Sequence, residues 1–407
     1  MSDTSRTPTT PTTDDAVGTG EVPFATGASR SGAPYVTAPQ KYDAILLAGF
    51  GGPEGQEDVI PFLRNVTRGR GIPDERLEEV ATHYRHFGGV SPINEHNRQL
   101  RQAIEQEMRR RGGELPVYWG NRNWAPYLEE TVKEAASAGH TRLLAVATSA
   151  YSSYSSCRQY REDLARAVVD TGLAGVVQID KVRQFFDLPG FVQPFAEGVS
   201  EALRGFTDRG LESQQIRVLF ATHSIPTADA ERSGPQELGL GEGGAYAAQH
   251  RAVGHRIMEQ LRAEGRAGGD ADWELVYQSR SGPPSQPWLE PDVCDRIAQL
   301  PAEGVKAVAI VPLGFLSDHM EVLWDLDEEA MEAAEEAGLW AERAPAPGVH
   351  EAFVAGLVDL VEERMQAVPA AERRHLTELG PWYDVCRPGC CENVRRGFSP
   401  AAAGVAP

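Results

Sequence analysis

Short apolar, β-branched runs alternate along the chain with longer stretches of helical periodicity. The clearest runs are Ala44–Ala48, Leu143–Thr148, Val218–Thr222, Leu275–Ser279 and Ala307–Leu313. This alternation predicts βαβ units and an α/β fold of parallel sheets flanked by helices. Each run leads into small or polar residues, among them Gly49-Phe50-Gly51-Gly52, Ser149–Ser156, His223-Ser224, Arg280-Ser281-Gly282 and Gly314–His319. Ligands of open α/β sheets bind beyond the carboxyl ends of the strands, so the unusual residues gather where a site is expected. A faint repeat sets Gly139, Leu143-Leu144-Ala145-Val146 and Ser152 against Gly304, Val308-Ala309-Ile310-Val311 and Ser317 at a constant offset. Two similar Rossmann-like halves facing one cleft would produce it; chance likeness between buried strands is nearly as good an account.

The pattern is absent from the first residues. Met1 to about Gln40 is built of Thr, Pro, Ser, Gly and Ala, too poor in bulky apolar groups to bury a core, and residues 1–40 are expected to be a disordered tail. The expected organisation is then a first Rossmann-like domain over 41–190, a second over 191–350, and a C-terminal helix with a cysteine-containing tail over 351–407. Ser279–Pro291 reads as a long ordered loop and Glu231–Gly244 as a second excursion. No run is apolar and long enough to span a membrane, and no basic start precedes an apolar stretch, which points to a cytoplasmic protein. The net charge of -20 excludes nucleic acid or an anionic membrane as the main partner, because both reward clustered Lys and Arg. Lys41, Lys133, Lys181 and Lys306 are the only lysines among 39 basic residues, so guanidinium groups would meet any anionic substrate.

Candidate chemistry sits at the strand ends. His223 follows an apolar strand directly, where its ring would project into the cleft; a lone histidine is more often structural, but this one can titrate near neutral pH. After the last strand, Glu321, Asp325 and Glu329 recur at i, i+4 and i+8, nearly opposite an apolar face of Leu323, Leu326, Ala330, Ala333 and Ala337. A solvated acidic face is the commoner fate of such a row. A ladder of carboxylates about 5.4 Å apart would instead suit a divalent cation moving towards a site. Cys386, Cys390 and Cys391 in a polar context suggest thiolate ligation of an iron-sulfur cluster or zinc, with Cys157 the best fourth ligand because Cys294 lies inside a helix. A redox-sensing thiol cluster is the alternative. Arg64, Arg68 and Arg70 could grip carboxylates, and Tyr151, Tyr154, Tyr160, Trp119, Trp124 and Trp288 could floor a flat apolar ligand.

In order and spacing, several segments together resemble the ferrochelatases: Gly49-Phe50-Gly51-Gly52-Pro53, Arg68-Gly69-Arg70, Gly88-Gly89-Val90-Ser91-Pro92, Tyr151-Ser152-Ser153-Tyr154-Ser155, Thr222-His223-Ser224-Ile225-Pro226, Gln278-Ser279-Arg280-Ser281-Gly282-Pro283 with Trp288-Leu289, and Gly314-Phe315-Leu316-Ser317-Asp318-His319-Met320-Glu321. The resemblance covers about Tyr42 to Gln366. The Arg-rich chain and the terminal cysteines look most like the enzymes of high-G+C bacteria, which insert Fe(II) into coproporphyrin III to give coproheme.

The resemblance implies the chelatase fold, two similar Rossmann-like domains with a porphyrin cleft between them. It implies His223 and Glu321 as the catalytic, metal-site pair and Asp325 and Glu329 as the acidic ridge behind it. Phe50, Arg68, Ser91 and Tyr160 match substrate-binding positions. Cys157, Cys386, Cys390 and Cys391 match ligands of a [2Fe-2S] cluster, with the terminal spacing less regular than the metal-site pair. Many bacterial relatives carry a metal-ligating tyrosine where Phe50 stands, and phenylalanine cannot ligate. A monomer with porphyrin and ferrous iron as substrates, handing its product to other haem-biosynthesis enzymes, is the implied setting. Protoporphyrin IX as the substrate, a non-catalytic tetrapyrrole-binding protein and an iron-sulfur redox sensor are the alternatives.

Overall fold

The computed structural model describes residues 40–69, 71–281, 285–386, 389–393 and 399–404. The expected tail at 1–39, and Arg70, Gly282 and Pro283 of the motifs above, lie outside the described residues. Eight strands form two four-stranded sheets in the described residues. The first contains β1 (Ala44–Gly49), β2 (Val117–Asn121), β3 (Arg142–Ala147) and β4 (Gln178–Lys181), in the order β2-β1-β3-β4. The second contains β5 (Ile216–His223), β6 (Asp272–Gln278), β7 (Ala307–Val311) and β8 (Trp340–Arg343), in the order β6-β5-β7-β8. All pairings are parallel. The two orders are identical, which gives the faint sequence repeat a structural basis: the repeated segments are β3 and β7.

The five expected strands are all present. β2, β4 and β8 were not among them, because each is short and carries polar or charged residues that break the apolar run. Apolar residues of β1, β3, β5 and β7 are almost fully buried, as expected for sheets covered on both faces.

One large core runs through both halves. It includes Ile45, Phe185, Phe191 and Phe195 together with Phe220, Val311, Phe353 and Leu357. Helix Glu351–Gln366 packs on helix Pro189–Thr207 and on helix Ile93–Arg110, so it joins the halves and is not a separate appendage. At its crossing with helix 189–207, a Cβ on Gly190 would fall 2.1 Å from the Ala352 carbonyl oxygen, so only glycine allows this approach. The expected domain boundary after residue 190 falls in the first turn of that same helix. Buried polar ties reinforce the junction: Arg364 pairs with Asp180 at 2.9 Å, and Tyr42 donates to Asp180 at 2.5 Å.

Two π-helical segments follow equivalent strands, Tyr154–Arg158 after β3 and Leu323–Glu329 after β7. Such segments are rare and often mark functional sites.

Candidate metal and porphyrin site

His223 ends β5, where register pairs it with Gln278 at the end of β6. Its backbone carbonyl accepts from the Tyr246 hydroxyl at 2.8 Å, and its Nδ1 binds the Ser224 carbonyl oxygen. A carbonyl can only accept, so Nδ1 carries a proton and Nε2 is the nitrogen left for other partners. That Nε2 lies 3.7 Å from Glu321 Oε2. The two side chains are 32% and 49% exposed, so the facing pair opens towards solvent.

Glu321 stands in the first turn after His319, whose Nδ1 accepts from the Glu321 amide at 3.2 Å. Asp325 follows on the π segment and is held more firmly. Gln278 Nε2 donates to its carboxylate and to the Glu321 carbonyl, each at 3.1 Å, and the Ser279 hydroxyl donates to the same carboxylate oxygen. Burial pushes the Asp325 carboxyl up to about 7; the Ser279 bond opposes the rise, and the charges of Glu321 and Glu329 add to it. Glu329, exposed at the far end, accepts from Trp324 Nε1 at 2.8 Å. The expected row is present.

The apolar stripe beneath the row differs from the expected one. Val322, Leu326, Ala330 and Ala334 are the buried residues, spaced uniformly by four, whereas Leu323, Ala333 and Ala337 are only partly buried. The wider π turn favours i, i+4 alignment and holds it through the segment, where α geometry would have rotated the stripe by one residue.

An apolar cavity between the halves has Glu321, Asp325 and Trp324 on one wall and Phe50, Phe62 and Tyr84 on the other. Phe50 therefore faces the carboxylate row. Burial, followed by the charges of Glu321 and Asp325, holds the Tyr84 phenol far above its ordinary range, so it stays protonated. Tyr160 is buried and meets Phe50 only through Arg122, whose guanidinium lies 4.5 Å from the Tyr160 ring centre and 5.7 Å from that of Phe50. Arg122 is itself buried and paired with Asp163 at 2.5 Å. Ser91 is buried behind the loop after β1, its amide bonded to the Pro53 carbonyl at 2.9 Å. Arg68 follows helix Val59–Val66, bonded to Asn65 Oδ1 at 2.6 Å.

The aromatic floor is different from the one expected. Tyr151 is buried and stacks on His250, with ring centres 3.5 Å apart, and Trp124 packs edge-on against Phe62. The rings that reach the cavity are instead Phe50, Phe62, Tyr84 and Trp324 with the His83 imidazole. Arg122, Trp324 and His83 carried no signal beyond residue type, because nothing in their spacing shows which element they will face.

Cys157, Cys386, Cys390 and Cys391 form one buried cluster, while Cys294 sits apart in helix Val293–Gln299. All four are free thiols, and the neighbouring thiols Cys386 and Cys391 together with burial raise the pKa of both Cys157 and Cys390. Cys390 Sγ and Cys391 Sγ are 3.8 Å apart. Hydrogen bonds from their neighbours draw the Cys386 and Cys391 thiols well below the usual range, and the positive charges of Arg161 and Lys181 add to this at Cys386. The Gly234 amide donates to Cys391 Sγ at 3.2 Å. Among the described residues, no group of three or more His, Cys, Asp or Glu is arranged as a ready site for a single metal ion. Four grouped sulfur donors are the set that either a zinc ion or an iron-sulfur cluster takes. No described helix is long and apolar enough to cross a membrane.

The ferrochelatase family model matches residues 42–365. Coproporphyrin III ferrochelatase of Leifsonia xyli subsp. xyli is 65% identical, over 94% of this chain and 99% of its own. Proteins of the same name from Tropheryma whipplei and Streptomyces griseus are 56% and 52% identical, over 93% and 90% of this chain and 96% and 97% of theirs. Among solved structures, SirB from Bacillus subtilis with Fe3+ aligns at a TM-score of 0.43 and 13% identity, over 83% of this chain and 100% of that one.

Proposed function

The chain belongs to the ferrochelatase family, and we propose that it inserts Fe(II) into coproporphyrin III to give coproheme, with His223 and Glu321 as the pair at the metal. The observation that carries the site is the 3.7 Å approach of His223 Nε2 to Glu321 Oε2 at the head of the acidic row. A carboxylate oxygen and an imidazole nitrogen that face each other can share a cation or a proton.

Insertion exchanges Fe(II) for two pyrrole protons, so the site must bring a cation in and take protons out. Glu329, Asp325 and Glu321 supply successive oxygen donors, which suit a hydrated ferrous ion as it approaches. His223 presents an imidazole nitrogen, which can ligate iron or accept one pyrrole proton. Asp325, near pH 7, can accept a proton and release it again at neutral pH. The apolar wall of Phe50, Phe62 and Tyr84 excludes water from one face of the ring. Phe50 has no donor atom, so it packs against the ring and leaves the iron to His223 and Glu321. We assign Arg68, Ser91 and Tyr160 to porphyrin contacts on the first half, the last through the face it shares with Arg122.

Cys157, Cys386, Cys390 and Cys391 would hold a [2Fe-2S] cluster. When bound it would offer one-electron chemistry and a covalent tie between the C-terminal segment and the turn after β3. We further propose a cytoplasmic monomer that passes coproheme onward.

Anaerobic turnover on coproporphyrin III and on protoporphyrin IX tests the substrate. Preference for the former supports the assignment, and equal or reversed preference would remove it.

A further inference from the structure

Trp324 is the one residue of the acidic segment whose side chain crosses to the other half of the molecule and also binds a carboxylate of the row. Its ring lies flat on His83 of helix Asp74–His86, with centres 4.0 Å apart and planes inclined by 9°. His86 and Phe87 meet the same ring edge-on, at 5.6 and 6.5 Å. On its other side, Nε1 donates to Glu329 Oε1 at 2.8 Å. His86 Nε2 approaches the adjoining Glu328 at 3.9 Å.

This arrangement fixes an exposed carboxylate that would otherwise be free to turn. A glutamate on a helix surface samples several rotamers, and holding one costs side-chain entropy. The indole N–H selects the rotamer, and the stack on His83 holds the indole. Burial lowers the His83 pKa, so at neutral pH the imidazole acts as a flat neutral face. Met320, one turn earlier, is buried with Phe62, Leu77 and Tyr84 of the first half, so residues 320 and 324 dock the segment while Glu321 and Glu329 stay exposed.

We propose that Trp324, braced by His83, is a positioning residue that presents Glu329 as the outer docking point for the incoming ferrous ion. The proposal rests on reading the acidic row as the route of the metal. Neither Trp324 nor His83 need touch the iron; each acts through Glu329.

Three substitutions separate the parts. Trp324→Phe keeps the stack and removes the N–H; His83→Ala removes the stack; His83→Phe restores a flat ring. The steady-state KM for Fe(II), measured anaerobically with coproporphyrin III, should rise about fivefold in Trp324→Phe and in His83→Ala, the size expected for loss of one partly exposed hydrogen bond. His83→Phe should return close to the parent value, and KM for the porphyrin should move less than about twofold.

In a Glu329→Gln background, whose KM for iron is itself raised, adding Trp324→Phe should bring no further rise, because the two act in series. An unchanged KM for iron in Trp324→Phe, additive effects in the double variant, or an equal rise in the porphyrin KM would each overturn the proposal. A normal KM for iron in Glu329→Gln would instead overturn the reading of the row on which it rests. Thermal midpoints of all variants distinguish misfolding from the expected shift, and Trp324→Phe, which keeps an aromatic ring beside His83, is the decisive one if His83→Ala proves unstable.

Discussion

Gln278 grips Asp325 from the neighbouring strand end. Its Nε2 donates to the carboxylate at 3.1 Å, while its backbone carbonyl accepts from the Ser224 amide at 2.7 Å, beside His223. A single residue thus joins the strand end that bears the histidine to the helix that bears the carboxylates. Ser279, at a φ of 59° that non-glycine residues rarely adopt, adds the second bond to Asp325. Residues held in such conformations concentrate at functional sites, where surrounding contacts enforce them.

Asp325 should make stability depend on pH. Its carboxyl titrates near 7 in the folded chain, against 3.8 in the absence of the fold. Below about pH 4 both states hold the proton and there is no penalty. As pH rises through 7 the unfolded chain has already released its proton, so relative stability is lost. Asp325→Asn should therefore stabilise the protein by on the order of 2 kcal/mol at pH 8, allowing for partial exposure, with the gain shrinking towards pH 4. Urea unfolding at both pH values checks this, and a pH-independent gain would contradict it.

Removing the imidazole should abolish chemistry and spare the fold. His223→Ala is expected to slow anaerobic iron insertion by at least about 100-fold, the usual effect of a lost general base. Coproporphyrin III binding, followed by fluorescence quenching, should change little. Retained insertion would show that Glu321 and the row suffice without the histidine.

Much of the site was legible because strand ends are. A histidine directly after Val218–Thr222 and a carboxylate after Ala307–Leu313 emerge at the same sheet edge when both runs are parallel strands of one sheet, as β5 and β7 are. The three short strands were not legible, since Gln178, Asp180 and Lys181 in β4 look like loop by composition. Nor could periodicity show the π turn, which moves the buried stripe from Leu323 and Ala333 to Val322 and Ala334. The partners of Trp324 and Arg122 come from residues far away in the chain, and no local pattern encodes them. The cysteine quartet lay between these cases: residue type singled out the four, and only the fold could bring Cys157 to the other three.

The four clustered cysteines should act as one unit, distinct from Cys294. After anaerobic reconstitution, Cys157→Ser and Cys386→Ser should each lose most bound iron and acid-labile sulfide, together with the visible absorption of a cluster. Cys294→Ser should retain both. The last described residues are also held by Arg158, which donates to the Ser399 carbonyl at 2.9 Å, and by Arg161, which donates to that of Ala402 at 2.7 Å. Cluster loss should therefore make the C-terminal segment more sensitive to protease without unfolding the body. Equal sensitivity in parent and variants would show that the arginines alone secure it.

Gly314 offers a test of how tightly the proposed metal site depends on its backbone. A Cβ there would lie 2.1 Å from Thr222 Oγ1 and 3.0 Å from Thr222 Cα, and the second of these atoms cannot swing aside. Thr222 Oγ1 bonds to the Tyr246 hydroxyl at 2.8 Å, which in turn holds the His223 carbonyl at 2.8 Å. Relief of the clash must therefore push the end of β5 and carry His223 with it. Gly314→Ala should destabilise the protein by about 1–3 kcal/mol, as overpacking generally does. It should also slow insertion by about tenfold or more, because the His223–Glu321 spacing is disturbed. Gly304→Ala is the matched control, at a left-handed turn with φ +85° and nothing within 4 Å. It should cost about 1 kcal/mol through backbone strain and leave the insertion rate unchanged. If both variants lost activity in proportion to stability, the displacement of His223 would not be the cause.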